Sequence, residues 1–248
     1  FTGSAAVGWS IAAKAPKKRV ALELGSTSPL VLEPDADLSR VRSKIRAAAF
    51  GNAGQSCISV QRVLAHRSIR DDVLGLLIDA ARGAKVGDPN DDATEIGPLI
   101  RPAENERILD WIAEAVEGGA VVHAGGRVEG GIFIPTVVED VPPDARLARE
   151  EVFGPVVALE TYDTFDDALE RANDTDFGLH IGVFTSSLET ALIAARKLEY
   201  GGVLINEVPT FRADQQPYGG IRDAGNTREG PSYAVESMTE LRFVSLEP

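Results

Sequence analysis

Short apolar runs of strand length alternate with stretches of helical period along this chain, and the alternation narrows the architecture before any single residue is considered. The strand-like runs are Arg19–Leu24, Pro29–Leu32, Arg62–His66, Val121–His123, Val156–Thr161, His180–Thr185 and Gly202–Asn206. The helical stretches are Leu38–Ala53, Ile69–Gly83, Pro102–Gly118, Phe165–Asn173 and Ser187–Leu198. Such a pattern points to an α/β fold, a mainly parallel sheet with flanking helices. Asp163 or Thr164 and Ser186 are the N-cap candidates of the last two helices, and Gly201 follows the end of the second. Gly87–Pro98, with its Asp-Pro and Asn-Asp-Asp, reads as a surface loop. Pro209–Glu229 is polar and Gly-rich without period, as expected of a loop over a site or of disorder. Glu240–Leu246 reads as a terminal strand.

The 248 residues suit one or two domains with a sizeable core. Lys and Arg number 25 against 38 Asp and Glu, a formal net charge of −13. That balance argues against nucleic acid and anionic membrane surfaces, since both are bound by clustered cations. The basic run Arg40, Arg42, Lys44 and Arg46 has an i, i+2 spacing that spreads it around a helix as a solvated face. No apolar stretch reaches the roughly 18 residues of a membrane span, and no signal peptide is evident. A single cysteine fits a reducing cytoplasm. The chain opens on Phe1 and its only methionine is Met238, so it is expected to be part of something longer.

That single cysteine, Cys57, makes an internal disulfide impossible. A lone thiol is either small apolar filler or a nucleophile. Its surroundings favour the second. Asn52-Ala53-Gly54-Gln55-Ser56 is small and polar and interrupts the apolar periodicity of Leu38, Val41, Ile45, Ala48 and Ala49. A Gly-bearing turn lets backbone approach a substrate and leaves N–H groups to face a developing oxyanion. Those dipoles would also lower the thiol pKa. Upstream by 34 residues, Glu23 lies in the apolar run Val20-Ala21-Leu22-Glu23-Leu24. Burial there would resist ionisation and raise its pKa into a range useful to a general base. The alternative is an edge-strand glutamate pointing to solvent.

Gly54-Gln55-Ser56-Cys57, preceded by Glu23-Leu24-Gly25, resembles the aldehyde dehydrogenase superfamily. Further matches follow in that family's order: Phe1-Thr2-Gly3-Ser4, Glu150-Glu151-Val152-Phe153-Gly154-Pro155, Asn173-Asp174-Thr175-Asp176-Phe177-Gly178-Leu179 and Pro217-Tyr218-Gly219-Gly220. Each tetrapeptide is weak evidence alone, but their order along nearly the whole chain is specific. The resemblance covers the family's C-terminal half and implies three parts. Residues 1–25 would end the dinucleotide-binding domain, 26–222 would form the catalytic thiol domain, and 223–248 a tail with an oligomerisation strand.

The resemblance implies oxidation of a small aldehyde with NAD or NADP. Cys57 would add to the carbonyl and Glu23 would activate the water that hydrolyses the thioester. Gly3 and Ser4, before the helical stretch Ala5–Ala15, would lie beside the cofactor pyrophosphate. Leu24 and Gly25 would present backbone to the carboxamide. Glu151 would accept hydrogen bonds from the nicotinamide ribose, and Phe153 would pack near that ring; in isolation the two read as a capping acid and a core aromatic. Arg212, in Phe211-Arg212, would meet a carboxylate or phosphate of a small anionic or hydroxylated aldehyde, or else pair with Asp214 on an exposed loop. Ser56 stands where phosphate-selective relatives can carry a cation, which weakens a phosphorylated substrate. The terminal strand would join a neighbouring subunit in a homo-oligomer, dimer or tetramer.

Two departures from the family pattern stand out. Ser26 replaces a glycine, which would strain only at positive φ, and Arg222 replaces a lysine, keeping the charge in another geometry. Other chemistries remain to be weighed. His66, His123 and His180 are widely spaced with no ligand cluster, so no metal site is expected. A Cys-His hydrolase would need a histidine such as His180 beside the thiol. A CoA-acylating relative would generally lack the glutamate. An inactive module serving only assembly is the reading from another class. By the resemblance, the isolated 248 residues would turn over aldehyde poorly, because an asparagine oxyanion donor and most of the cofactor sheet lie upstream in the family.

Overall fold

The computed structural model describes residues 1–248. In chain order its elements are α1 (Ala5–Lys14), β1 (Leu30–Leu32), α2 (Leu38–Phe50), β2 (Arg62–His66), α3 (Arg70–Arg82), α4 (Pro102–Glu117), β3 (Val121–Ala124), β4 (Val128–Glu129), β5 (Ile132–Phe133) and β6 (Thr136–Glu139). There follow α5 (Arg146–Arg149), β7 (Val156–Tyr162), α6 (Phe165–Asn173), β8 (Phe177–Gly178), β9 (His180–Phe184), α7 (Leu188–Lys197), β10 (Gly202–Ile205), β11 (Ile221–Arg222) and α8 (Pro231–Met238). A seven-stranded sheet runs in the order β10-β9-β1-β2-β7-β6-β3. Every pairing in it is parallel except β3 with β6.

Side chains alternate across this sheet with the period of two that a pleat imposes. Leu30, Leu32, Val63, Ala65, Val157 and Leu159 face α2, α3 and α4, in a core that includes Val41, Ile45, Phe50, Leu77, Ile108 and Trp111. Val31, Leu64, Ile181 and Val183 face α6 and α7, against Leu169, Ala172, Ala194 and Leu198. Helices on both faces are what a parallel sheet requires, and the central strands accordingly read as near-continuous apolar runs.

One charged pair is built into the second face. Arg62 on β2 lies diagonally across from Glu160 on β7 and meets it bidentately, Nε to Oε1 at 2.6 Å and Nη2 to Oε2 at 3.0 Å. Arg62 also donates to the Arg171 carbonyl of α6. With the Arg62 side chain 6 % exposed, Glu160→Ala would strand a buried guanidinium. The expected cost is about 3–5 kcal/mol, read as a lowered denaturant midpoint. A variant as stable as the parent would show that water reaches Arg62.

Some expectations need correction. Arg19–Leu24 is not a strand; only Glu23 within it is bridged, to Thr2 and to Gly225. The helix expected to run through Ala53 ends at Phe50, because Asn52 and Ala53 adopt left-handed backbone with φ of 52° and 54°. Ser187, not Ser186, caps α7 by accepting from the Thr190 N–H, while Ser186 bonds Asp35. Thr164 does cap α6. Strand β6 was not foreseen, being four residues long and set directly behind Pro135. Glu240–Leu246 forms no strand in the single chain. Leu241, Phe243 and Leu246 stand exposed there, and only Arg19 ties its start, through the Thr239 carbonyl and Glu240. The basic run of α2 is largely ion-paired: Arg42 with Asp79, Lys44 with Glu207 and Arg46 with Glu95.

Candidate active site

The break after α2 delivers Cys57. Gly51–Gly54 forms a tight turn, and at Gly54, with φ of +69°, a Cβ would lie 2.1 Å from the Gly154 carbonyl oxygen. Only glycine allows the loop carrying the thiol to touch the loop after Glu151. The Ser28 hydroxyl donates to the Cys57 carbonyl at 3.1 Å and anchors the turn to the segment before β1. No backbone carbonyl engages the Cys57 N–H, which leaves it free to act as a donor.

Glu23 arrives on the segment before β1. The Leu24 N–H donates to the Ala224 carbonyl, the Asn226 N–H to the Leu22 carbonyl, and the Leu22 N–H to Asn226 Oδ1, which fixes the backbone on both sides of it. Its side chain is buried rather than turned to solvent, and neither carboxylate oxygen has a partner within the protein. Burial first, then the charge of Glu229, raises its pKa to about 7, against smaller opposing effects from Arg228 and Arg212.

Glu151 is held by a buried glutamine that the sequence did not single out. Gln61, just before β2, donates to the Leu147 and Glu150 carbonyls and accepts from the Val152 N–H at 2.8 Å. So clamped, Glu151 accepts from the Ser26 N–H at 3.1 Å, and burial raises its pKa to about 7. Phe153 has a φ of 47° and is 41 % exposed, so it is not a core aromatic. Ser26 is absent from the positive-φ residues, and its side chain accepts from the Ser28 N–H without strain. Arg222 lies at φ 55° and donates to the Asn173, Thr175 and Glu199 carbonyls, tying β11 to the segments that follow α6 and α7.

A cavity of about 540 Å³ gathers these groups. Cys57, Glu23, Gly3, Ser4, Leu24, Gly25, Glu151 and Phe153 all line it, with Arg101 and Ile100 on its wall. Arg212 does not line it. Its guanidinium lies 4.1 Å over the Tyr218 ring and pairs with Glu229 at 2.5 Å, not with Asp214. Tyr218 is the functional group the sequence reading passed over, although it stands within one of the quoted motifs. Its hydroxyl is 3.2 Å from Cys57 Sγ.

Electrostatics at the thiol run opposite to expectation. Burial pushes the Cys57 thiol up, and the Glu151 and Glu23 charges add to this; the Tyr218 hydroxyl and the thiol's own N–H pull it down without prevailing. His180 does not activate it. The His180 Nδ1 bonds the Pro209 carbonyl at 2.8 Å, and its ring meets Tyr218 edge-on with centroids 5.0 Å apart.

Comparison with known proteins identifies the family and the fold. Residues 1–244 match the model of the aldehyde dehydrogenase family, and the chain belongs to that family. It is 44 % identical over 246 residues to a 3-sulfolactaldehyde dehydrogenase of Priestia aryabhattai, covering 99 % of this chain and 52 % of that protein. A lactaldehyde dehydrogenase of Methanococcus aeolicus is 39 % identical over 98 % of this chain and 52 % of its own length. Among solved structures, a glyceraldehyde-3-phosphate dehydrogenase from Methanocaldococcus jannaschii complexed with NADP superposes with a TM-score of 0.92. It is 37 % identical, over 96 % of this chain and 52 % of that one. An aldehyde dehydrogenase from Physcomitrella patens in complex with the reaction product succinate gives 0.91 at 41 % identity, over 97 % of this chain and 50 % of that one. The chain thus spans about half the length of the relatives it matches.

Proposed function

We propose that these residues supply the thiol, the base and the nicotinamide end of the cofactor site for oxidation of a small aldehyde to its carboxylic acid. The observation that carries this reading is the single cavity shared by Cys57, Glu23 and the six expected cofactor contacts. Those contacts fit the nicotinamide end of NAD or NADP. Ser4 caps α1 without a side-chain bond, leaving first-turn N–H groups for a phosphate. A Cβ on Gly25 would lie 2.4 Å from Glu151 Oε2, so backbone and carboxylate close together on that wall. Phe153 has exposed aromatic surface on the cavity lining.

In the proposed reaction the Cys57 thiol proton leaves to solvent, Sγ bonds to the carbonyl carbon as the C=O π pair moves onto oxygen, and the charge gathering there meets the free Cys57 N–H. The nicotinamide, when bound, supplies the acceptor for the two electrons lost as the thiohemiacetal becomes a thioester. Glu23 then takes a proton from water as the water oxygen attacks the thioester carbon. The C–S bond breaks, releasing the acid and restoring Cys57. The unpartnered carboxylate oxygens of Glu23 favour this hydrolytic route over transfer to CoA. The names of the relatives favour a small hydroxylated or anionic aldehyde. Arg101 on the wall would meet an anionic substituent, whereas Arg212, paired with Glu229 behind Tyr218, does not reach the cavity. The exposed apolar segment after Thr239 supports pairing with another subunit.

The test is acid quenching during turnover with NAD or NADP and a panel of small aldehydes, in an assembly that supplies the family's upstream half alongside these residues, followed by peptide mass analysis. An acyl adduct on the Cys57 peptide is expected. Turnover with no adduct there, or with one on another residue, would overturn the assignment. An inert protein that still assembles through its tail would favour the assembly role.

A further inference from the structure

We propose that Tyr218 is the hydrogen-bond donor that sets the reactivity of Cys57, and that Arg212 is the positioning residue that links this donor, through Glu229, to the base Glu23. The inference rests on Cys57 being the nucleophile.

The geometry makes the turn at Pro217–Gly220 a hub between the two reacting groups. Tyr218 points its hydroxyl at Sγ, 3.2 Å away. The next residue, Gly219, lies against Glu23: a Cβ there would stand 3.0 Å from Glu23 Oε1 and 2.1 Å from the Thr227 carbonyl oxygen. The hub is locked by a two-way backbone pairing, Tyr218 N–H to the Glu229 carbonyl at 3.1 Å and Glu229 N–H to the Tyr218 carbonyl at 2.6 Å. The Arg212 guanidinium bridges the same two residues from outside, over the Tyr218 ring and onto the Glu229 carboxylate.

Each contact has a direction. A phenol is donor or acceptor while protonated and acceptor alone once ionised. Burial, with the neighbouring thiol and Glu23, pushes the Tyr218 phenol far up, so it stays protonated and can donate to a thiolate. A cation on the ring face draws electron density from the phenol and strengthens the O–H as a donor. The other titratable groups acting on the thiol are Glu151 and Glu23, both opposing its ionisation. Tyr218 is thus the side chain in this set that favours the thiolate. His180 touches Tyr218 only by its ring edge and is held neutral by burial. On the other branch, Glu229 opposes ionisation of Glu23, while Arg212 and Arg228 favour it. Arg212 therefore assists both the nucleophile and the base without lining the cavity.

Iodoacetamide alkylation rates of Cys57 across pH 7–11, in the full chain without substrate, read this directly. Tyr218→Phe keeps the ring and removes the donor. Hydrogen bonds to charged groups are strong enough that alkylation at pH 7 should slow about 10–100-fold and its midpoint rise by about 1–2 pH units. Arg212→Gln should move the midpoint the same way by less, and Arg212→Lys should restore most of that shift. An unchanged midpoint in a folded Tyr218→Phe protein overturns the donor role. Identical midpoints in Arg212→Gln and the parent overturn the coupling, and this half-exposed position stays informative if Tyr218→Phe fails to fold. The alkylation assay needs no turnover. Its failure is therefore separable from that of the parent reading, which falls if Cys57→Ser keeps aldehyde oxidation.

Discussion

Aldehyde oxidation is expected to disappear in Cys57→Ser, by at least about 10⁴-fold in kcat/KM, because the site offers no means of activating an alcohol. A serine nucleophile needs a base within hydrogen-bond reach. Here the side-chain partner of the thiol is the Tyr218 hydroxyl, which burial keeps protonated. His180 has its Nδ1 committed to the Pro209 carbonyl. Glu23 lines the same cavity but makes no hydrogen bond to residue 57. Steady-state assays with NAD or NADP, alongside a circular dichroism check of folding, decide the matter. Activity within about tenfold of the parent would remove Cys57 from the mechanism.

The second large effect is expected at Glu23. Glu23→Gln should lower steady-state turnover by about 10²–10⁴-fold, the usual loss when a general base is removed. If deacylation alone suffers, a first-turnover burst of reduced cofactor survives. The pH dependence gives an independent signature. With its pKa raised to about 7, chiefly by burial, Glu23 is protonated below that pH and cannot accept a proton from water. Deacylation in the parent should therefore fall as pH drops through about 7, and the variant should show no such limb. Stability moves the other way. Between 4.5, the ordinary value for a glutamate, and about 7 the folded state binds more protons at Glu23 than the unfolded state does. The stability Glu23 contributes is complete below about 4.5 and is lost as pH rises through 7, and glutamine should flatten that slope. Equal steady-state rates in parent and variant would point to a different base.

The residues proposed to carry the chemistry stand out in the sequence because their signals are local. Gly54 before Cys57 marks a tight turn, while Glu23 within Val20–Leu24 reads either as a buried acid or as an edge-strand residue facing solvent, and only the fold shows it buried. The strands β1, β2, β7, β9 and β10 could be read from apolar runs, and α3, α4, α6 and α7 from helical period. Where local signal was ambiguous the reading slipped. Arg19–Leu24 has strand composition but bridges neighbours at Glu23 alone. Conversely, β6 follows directly on Pro135 and was passed over, and it is a strand because β7 and β3 flank it.

Fold class and the break at Cys57 were thus determined by the sequence itself, since each depends on residues a few positions apart. The tertiary structure alone decided how those groups meet. Tyr218 reaches Cys57 across 161 positions, and Arg212 takes Glu229 rather than the nearby Asp214. The direction of the thiol's pKa was decided there too. Local N–H dipoles argue for lowering it, but desolvation depends on everything packed around the sulfur, and in this fold it outweighs them. Periodicity and turn chemistry are properties of neighbouring residues, whereas burial and charge coupling act through space and exist only once distant segments have packed.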